Sequence, residues 1–304
     1  MNIYLNNVKE NWIIDRVRRD WYKHKKNIST HFISRSEIIW ILSPWVWNKI
    51  PKKYLKEKKV LCSHYHFNFD SFDKEDFIEL DSFVDQYHVI SQKTKKQLSK
   101  LTDKKITSIP FWVNQNNFYH IENKINLRKK LGFSGQDYLI GSFQRDTESN
   151  DLSSPKLIKG PDIFLKIVNQ IYQKNSDMRI VLAGKNRQFL ISEFEKLNIP
   201  YKYFEMVNPS KLNELYNILD LYLVTSRIEG GPQAIMEASI TRTPILSTDV
   251  GVASEILHEN SIFEVNKFSE SIPNVDHAYK NSLEFTIPSG LNKFDSIFTE
   301  IYES

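Results

Sequence analysis

The amino-acid sequence predicts an α/β protein whose strands form parallel sheets with helices on both faces. Short apolar runs alternate with longer amphipathic stretches over most of the chain, which is the pattern of parallel strands joined by helical crossovers. The chain has 304 residues, enough for two domains of ordinary size. In such sheets ligands bind beyond the carboxyl ends of the strands, so the segments that follow the strands are the candidate sites.

The composition argues against several classes of protein. No run of about 18 apolar residues occurs, so no membrane-spanning helix is expected. The start, MNIYLNNVKE, lacks the apolar core of a signal peptide. Cys62 is the single cysteine, which excludes an internal disulfide and fits a reducing compartment. We therefore expect a cytoplasmic location.

The charge is unevenly distributed along the chain. The net charge is +4, but residues 1–116 hold 21 Lys and Arg against 13 Asp and Glu, a charge of +8, which leaves −4 for the rest. A basic half suggests an anionic partner, although Lys-rich helices with solvated faces explain the same count. No recognition motif accompanies the basic residues, so nucleic-acid binding is not expected.

The first half is predicted to open with a strand at 2–5 and a helix from Asn11 to about His24. One face of that helix is basic, and it is either solvated or placed against an anionic membrane surface at the inner face of the cell membrane. The basic residues are Arg16, Arg18, Arg19, Lys23, Lys25 and Lys26. Further strands are predicted at 30–34, 38–42, 59–63, 86–91 and 106–112.

Two histidines, His64 and His66, follow the predicted strand at 59–63. A lone histidine after a strand is usually structural. A pair two positions apart can belong to a metal site, but the sequence offers no evident third ligand. The acidic residues at 70–76 do not form an Asp-x-Asp motif either, so no metal is predicted.

The second half repeats the alternation after a linker near 114–119. A helix at 127–132 ends in glycine, and strands are predicted at 138–143, 179–184 and 201–206. Ser210 is expected to cap a helix that leads toward a strand at 221–224. A final amphipathic helix is predicted over 291–301, with one apolar face formed by Leu291, Phe294, Ile297, Phe298 and Ile301.

The most informative stretch is 226–238, SRIEGGPQAIMEA, which lies between strand-like runs at 221–224 and 243–251. Gly230 and Gly231 allow a close backbone approach to a ligand, and Pro232 suits the first turn of a helix. The start of that helix favours an anion such as a phosphate. Glu229 precedes the helix and Glu237 lies within it, so two carboxylates frame the predicted anion site.

EGGPQAIMEA, followed by TPILSTDVG and then Glu255, resembles the donor-site signature of retaining GT-B glycosyltransferases, above all family 4 of that class. The resemblance implies two Rossmann-like domains with parallel sheets that face a central cleft. It places an acceptor-side domain at 1–116 and a donor-binding domain at 117–288. A terminal helix at 289–304 is then expected to pack across the domain junction.

The same resemblance implies roles for the cations and carboxylates. Arg145 and Lys159 stabilise the departing diphosphate, with Lys156 as an alternative to Lys159. Glu229 contacts hydroxyls of the transferred sugar, and Glu237 binds the ribose hydroxyls.

Further positions follow from the family pattern. The backbone around the glycine-rich turn holds the sugar and diphosphate, and the turns at Gly184 and Val207 approach the ligand and its base. His64, or His66 as the alternative, faces the donor sugar. The turn residues are Gly230, Gly231, Pro232 and Gln233. The chain departs from the family pattern at 6–9, where a glycine-rich turn is usual, and at Trp112, which replaces a glycine.

The activity implied is transfer of a sugar, with retention, from a UDP-sugar or GDP-sugar to a glycan or lipid-linked acceptor. Such enzymes act in cell-surface polysaccharide or glycolipid synthesis and need neither a metal nor another cofactor. Two alternatives stay open. One is a catalytically silent glycosyltransferase-like subunit that binds a partner, and the other is a GT-B sugar-nucleotide epimerase.

Overall fold

The computed structural model describes residues 1–7 and 13–304 and divides the chain into two compact units. The first unit is formed by Met1–Trp112 together with Phe285–Ser304, and the second by Val113–Glu284. Within the described residues no helix is both long and apolar enough to cross a membrane. The domain boundaries drawn from the family resemblance, at 116/117 and 288/289, stay a prediction.

Each unit contains one five-stranded sheet, and every strand pair in both sheets is parallel. The first sheet runs in chain order through β1 (Ile3–Leu5), β2 (Ile38–Ile41), β3 (Lys59–His64), β4 (Gln86–Val89) and β5 (Ile106–Ser108). The second contains β6 (Tyr138–Ser142), β7 (Met178–Ala183), β8 (Tyr201–Phe204), β9 (Leu221–Val224) and β10 (Ile245–Ser247), in the order β10-β9-β6-β7-β8. The predicted α/β class with parallel sheets is therefore confirmed.

Helices connect these strands, as parallel pairing requires. In the first unit they are α1 (Ile13–His24), α2 (Lys52–Glu57), α3 (Lys74–Asp81) and α4 (Gln92–Leu98). The second unit holds α5 (Lys124–Lys130), α6 (Pro161–Tyr172), α7 (Gln188–Leu197), α8 (Pro209–Ile218), α9 (Gln233–Ile240), α10 (Ala253–Ile256) and α11 (Val275–Leu283). The chain then returns to the first unit with α12 (Ser289–Asn292) and α13 (Asp295–Glu303). Asn11, the predicted start of the first helix, lies outside the described residues.

The predicted amphipathic face of the C-terminal segment is confirmed, although the segment forms two helices instead of one. All five of its predicted apolar residues are buried in one core cluster with Trp21, Trp40 and Trp112. Aromatic rings dominate this cluster: the Trp21 and Trp40 centroids lie 5.1 Å apart, and those of Trp40 and Phe294 5.2 Å apart. Burial of such large rings makes α12 and α13 an integral part of the first unit.

Three local predictions are wrong. Residues 30–34 form no strand. The chain instead forms a single 3₁₀ turn at Ile33–Arg35, and the Ser36 hydroxyl stabilises this turn by donating to the Ile33 carbonyl. The strand predicted over 106–112 stops at Ser108, shortly before Pro110, which has no N–H to donate to a sheet. The cap of α8 is Asn208, whose side chain accepts from the Lys211 N–H, and not Ser210.

Two histidines, the buried His88 and the partly buried His64, give the first unit a pH-dependent stability. Burial lowers the pKa of His64 and of His88 to about 4. An unfolded histidine has a pKa near 6.5. Between about pH 6.5 and pH 4 the unfolded chain therefore binds protons at these two positions, whereas the folded chain does not. The free energy of unfolding should then fall on acidification from pH 7 toward pH 4, by up to about 1.4 kcal/mol per pH unit for each histidine.

Urea unfolding followed by tryptophan fluorescence checks this expectation, because all six tryptophans of the chain lie within residues 1–112. The His88→Gln variant retains an N–H for the Ile109 carbonyl, which the His88 Nε2 contacts at 2.8 Å. It should reduce the pH dependence by about half, since one of the two histidines is removed. An unchanged slope between pH 7 and pH 5 would contradict the assignment.

Candidate functional site

The candidate site lies at the carboxyl edge of the second sheet, where the strand order reverses. From β6 the chain proceeds through β7 and β8 on one side and then returns to place β9 on the other side of β6. Connections leave in opposite directions at this point, which opens a crevice between the ends of β6 and β9. The segments that follow these two strands, 143–147 and 225–231, carry most of the predicted site residues.

The glycine-rich turn is fixed by a close backbone contact. Pro232 caps α9, so the helix begins at Gln233 and the turn at Gly230 and Gly231 stands directly before it. Gly251 has a φ of +49°, and a Cβ there would lie 2.2 Å from the Gly230 carbonyl oxygen. Only a glycine permits this approach without displacing the turn.

The structure brings Lys159 and Glu229 together across 70 positions of sequence. The Lys159 ammonium lies 2.6 Å from Glu229 Oε1, and the two side chains are 17% and 13% exposed. Gly160, with a φ of +63°, lets the chain pass Thr225, whose carbonyl oxygen would lie 1.9 Å from a Cβ. The loop that follows β6 therefore packs directly against Thr225, the residue after β9.

Two residues that the sequence analysis did not single out complete this group. The Ser226 hydroxyl lies 3.1 Å from Gln144 Oε1 and 3.2 Å from Glu229 Oε1. The Gln144 amide in turn donates to the Lys159 carbonyl at 3.0 Å. Polar residues directly after β6 and β9 were the available signal, but their mutual contacts have no local sequence pattern.

Lys156, the alternative to Lys159, has a different partner. Its ammonium lies 2.8 Å from Glu148 within the same loop. The structure therefore places Lys159 beside the glycine-rich turn and ties Lys156 to the loop itself.

Glu237 is buried within α9 and 3% exposed. The Tyr216 hydroxyl donates to its Oε2 at 3.0 Å. Tyr216 stands in α8, so this hydrogen bond joins α8 to α9.

The remaining predicted residues of this unit lie at the same sheet edge. Arg145 is half-buried in the segment after β6. Gly184 directly follows β7, and a Cβ there would lie 3.3 Å from the Phe143 carbonyl oxygen. Val207 is half-buried in the turn between β8 and α8.

His64 belongs to the first unit and lies among aromatic rings at the end of β3. Its ring stacks on Phe67 at 5.0 Å and contacts Tyr87 at 5.7 Å. Burial holds its pKa near 4, so the ring is neutral at pH 7. His66, the alternative, is exposed.

A cavity of about 500 Å³ adjoins the candidate site on the side of α6 and reaches Ser226. Arg227 lines it and forms a two-point ion pair with Asp162, with N–O distances of 2.7 and 2.6 Å. Among the residues that the structure describes, no three His, Cys, Asp or Glu side chains are grouped so that they could hold a metal. Metal independence stays a prediction.

Two α/β units with parallel sheets, and a glycine-rich turn beside a carboxylate and a cation at one sheet edge, define the class: the protein has the GT-B fold. Residues 154–285 match the family model of glycosyl transferases group 1. The matched segment holds the glycine-rich turn, Lys159 and both carboxylates. The resemblance to GT-B glycosyltransferases is thus confirmed, whereas retention and membership of family 4 stay predictions.

Two curated proteins are similar to half of the chain. The alpha-galactosylglucosyldiacylglycerol synthase of Streptococcus pneumoniae is 26% identical over 167 residues, 51% of this chain and 41% of that protein. An uncharacterized glycosyltransferase of Methanocaldococcus jannaschii is 27% identical over 156 residues, 50% of this chain and 38% of that protein. The matched segment thus spans less than half the length of either relative.

Solved structures resemble the whole chain. Anabaena HepE, crystallised with UDP and glucose, has a TM-score of 0.78 at 12% identity and covers 98% of this chain and 99% of its own. Sucrose-phosphate synthase from Thermosynechococcus elongatus has a TM-score of 0.71 at 12% identity, over 98% and 81% of the two chains. At this identity the likeness establishes the fold.

Proposed function

We propose that the protein is a retaining glycosyltransferase of the family 4 type. It moves a sugar from a UDP-sugar or GDP-sugar to a glycan or lipid-linked acceptor in cell-surface polysaccharide or glycolipid synthesis. The observation that carries the proposal is the Lys159–Glu229 ion pair beside the Gly230–Gly231 turn. A cation that suits a diphosphate and a carboxylate that suits sugar hydroxyls thus lie together at a switch point, which supports the proposal.

In this mechanism the donor replaces the ion pair. A diphosphate oxygen takes the place of the Glu229 carboxylate as partner of Lys159, and Glu229 turns to a hydroxyl of the sugar. Arg145 adds a planar fork that suits a phosphate. As the bond between sugar and diphosphate breaks, negative charge grows on the leaving group, and fixed cations stabilise that charge more than they stabilise the ground state.

The leaving diphosphate then accepts the proton of the acceptor hydroxyl on the same face of the sugar. The new bond forms on that face, so the anomeric configuration is retained and no side-chain base is needed. Support for a sugar acceptor on a lipid comes from the S. pneumoniae relative, whose name describes a glycolipid synthase. Support for a UDP-sugar comes from HepE, which was crystallised with UDP and glucose.

Calorimetric titration with UDP, GDP and ADP, in buffer with EDTA, tests the proposal. One diphosphate should bind, and Arg145→Ala should weaken its binding by about 2–3 kcal/mol, or about 30- to 150-fold, the size of a lost charged hydrogen bond. Arg242→Ala is the matched control, because Arg242 pairs with Asp276 and precedes β10 at the opposite edge of the sheet.

The outcomes separate the competing functions. Binding of none of the three diphosphates would contradict the proposal and favour a silent subunit. Conversion of the sugar nucleotide without an acceptor would favour an epimerase. Transfer to an acceptor with inversion, read by NMR of the anomeric proton, would overturn the retaining mechanism alone.

A further inference from the structure

A buried ion pair joins Asp146 and Arg187 in the second unit. Asp146 Oδ2 lies 2.5 Å from Arg187 Nε, and the two residues are 2% and 0% exposed. Neither residue belongs to the proposed contacts with the donor. Buried ion pairs contribute little net stability compared with apolar packing, so the position of this pair suggests a role beyond stability.

The guanidinium joins the ends of two neighbouring strands. Arg187 Nη1 donates to the Ser142 carbonyl at 2.7 Å and to the Ala183 carbonyl at 2.9 Å. These are the last residues of β6 and β7. Both bonds come from one nitrogen, while Nε of the same planar group binds Asp146. The guanidinium therefore fixes the two strand ends and the carboxylate together, which a flexible lysine cannot do as well.

Asp146 is also held by hydrogen bonds to residues other than Arg187. Asp146 Oδ1 accepts from the Thr147 hydroxyl at 2.6 Å, and the Asp146 N–H donates to the Asn186 carbonyl at 3.0 Å. The Thr147 hydroxyl also accepts from the Phe189 N–H at 2.8 Å, at the start of α7. The segment after β6 is thereby attached to the segment after β7.

Arg145 lies between this attachment and a second one. On its amino side the Gln144 amide donates to the Lys159 carbonyl, and on its carboxyl side Asp146 is held by Arg187. The backbone at Arg145 is therefore fixed from both directions at the reversal of strand order. A binding group gains affinity when its position is set before the ligand arrives.

We propose that Asp146 and Arg187 are positioning residues that set Arg145 for the diphosphate of the donor. This inference rests on the proposed function. The ion pair is internally neutral, so Arg145 and Lys159 supply the charge while Asp146 and Arg187 supply the geometry.

The same sheet offers a matched control at its opposite edge. Arg128 pairs with Asp220, and its Nε donates to the Ile218 carbonyl at 3.0 Å and its Nη1 to the Asp137 carbonyl at 3.1 Å. Like Arg187, Arg128 is a buried arginine that binds one aspartate and backbone carbonyls. It adjoins the amino ends of β6 and β9 and flanks none of the proposed donor contacts.

The experiment compares Arg187→Lys with Arg128→Lys. Each change keeps the positive charge but replaces the planar guanidinium with an ammonium group, which has no fixed fork of N–H donors. Affinities are measured for UDP, GDP and ADP and for uridine, guanosine and adenosine, which lack phosphate. For the diphosphate that binds, Arg187→Lys should lower affinity about tenfold, part of the loss expected for a missing charged hydrogen bond. Affinity for the matching nucleoside should not change, and Arg128→Lys should alter neither.

A double-mutant cycle isolates the action through Arg145. In an Arg145→Ala background, Arg187→Lys should have no further effect on diphosphate affinity. If Arg187→Lys does not fold, Thr147→Val removes the hydroxyl that orients the carboxylate and should lower diphosphate affinity in the same selective way.

Equal losses for diphosphate and nucleoside, an unchanged affinity, or an additive effect in the Arg145→Ala background would each overturn the positioning role. Failure of the wild-type protein to bind any of the three diphosphates would overturn the proposed function and this inference together. The wild-type titration therefore distinguishes the two failures.

Discussion

Replacing Glu229 with glutamine should lower the rate of sugar transfer by about 100-fold while it raises the affinity for the nucleoside diphosphate. The rate falls because the amide loses the charge that strengthens a hydrogen bond to a sugar hydroxyl. The affinity rises because Lys159 no longer has a carboxylate partner 2.6 Å away and is available to the phosphate. A partly exposed ion pair contributes up to about 1 kcal/mol, which corresponds to a gain of about two- to fivefold.

These opposite signs make the prediction specific. Glu148→Gln is the matched control, since Glu148 forms a similar ion pair with Lys156 in the same unit, at 2.8 Å. It should leave both quantities unchanged. Steady-state rates and calorimetric titration of each variant measure the two effects. A near-native rate for Glu229→Gln would remove Glu229 from the sugar site, whereas a fall in diphosphate affinity would mean that it supports the turn instead.

The sequence was sufficient to predict those parts of the fold that depend on local pattern. The strands at β2, β3, β6, β7 and β9 match the predicted runs to within a residue or two, because apolar strands between polar turns have a strong local signature. Residues 30–34 hold only two apolar residues, Phe32 and Ile33, and form a 3₁₀ turn at Ile33–Arg35, where the Ser36 hydroxyl donates to the Ile33 carbonyl. A run with so few apolar residues carries a weaker strand signal than the runs that do form strands.

The candidate site shows a similar division between local and distant information. The glycine-rich turn and the two glutamates stand in one stretch, so a turn followed by a helix that contains Glu237 could be predicted from it, but the burial of Glu237 could not. The Lys159–Glu229 contact joins residues 70 positions apart, and only the folded chain decides whether Lys156 or Lys159 reaches the turn. Arg187 has the sequence context of a surface residue, yet it is 0% exposed.

Gly251→Ala should abolish most of the transferase activity without a substitution in the glycine-rich turn itself. The new Cβ would lie 2.2 Å from the Gly230 carbonyl oxygen and 2.8 Å from the Gly231 nitrogen. Both are backbone atoms, so the turn must move, and the φ of +49° adds strain for any residue with a Cβ. A displacement of about 1 Å in a site that depends on fixed geometry reduces rates by about 100-fold.

Gly135→Ala separates this effect from a general loss of glycine. Its Cβ would meet only the Ile125 side chain, at 3.7 Å, which is an ordinary contact. The control should retain near-native rate and donor affinity. Gly251→Ala should also lower the free energy of unfolding, by about 1–3 kcal/mol, because strain at a positive φ and a backbone clash add together. The decisive comparison is donor affinity in variant protein that circular dichroism shows to be folded. If folded Gly251→Ala binds donor as the wild type does, the turn tolerates displacement, and the sugar and diphosphate must be held by side chains instead of by the backbone at Gly230 and Gly231.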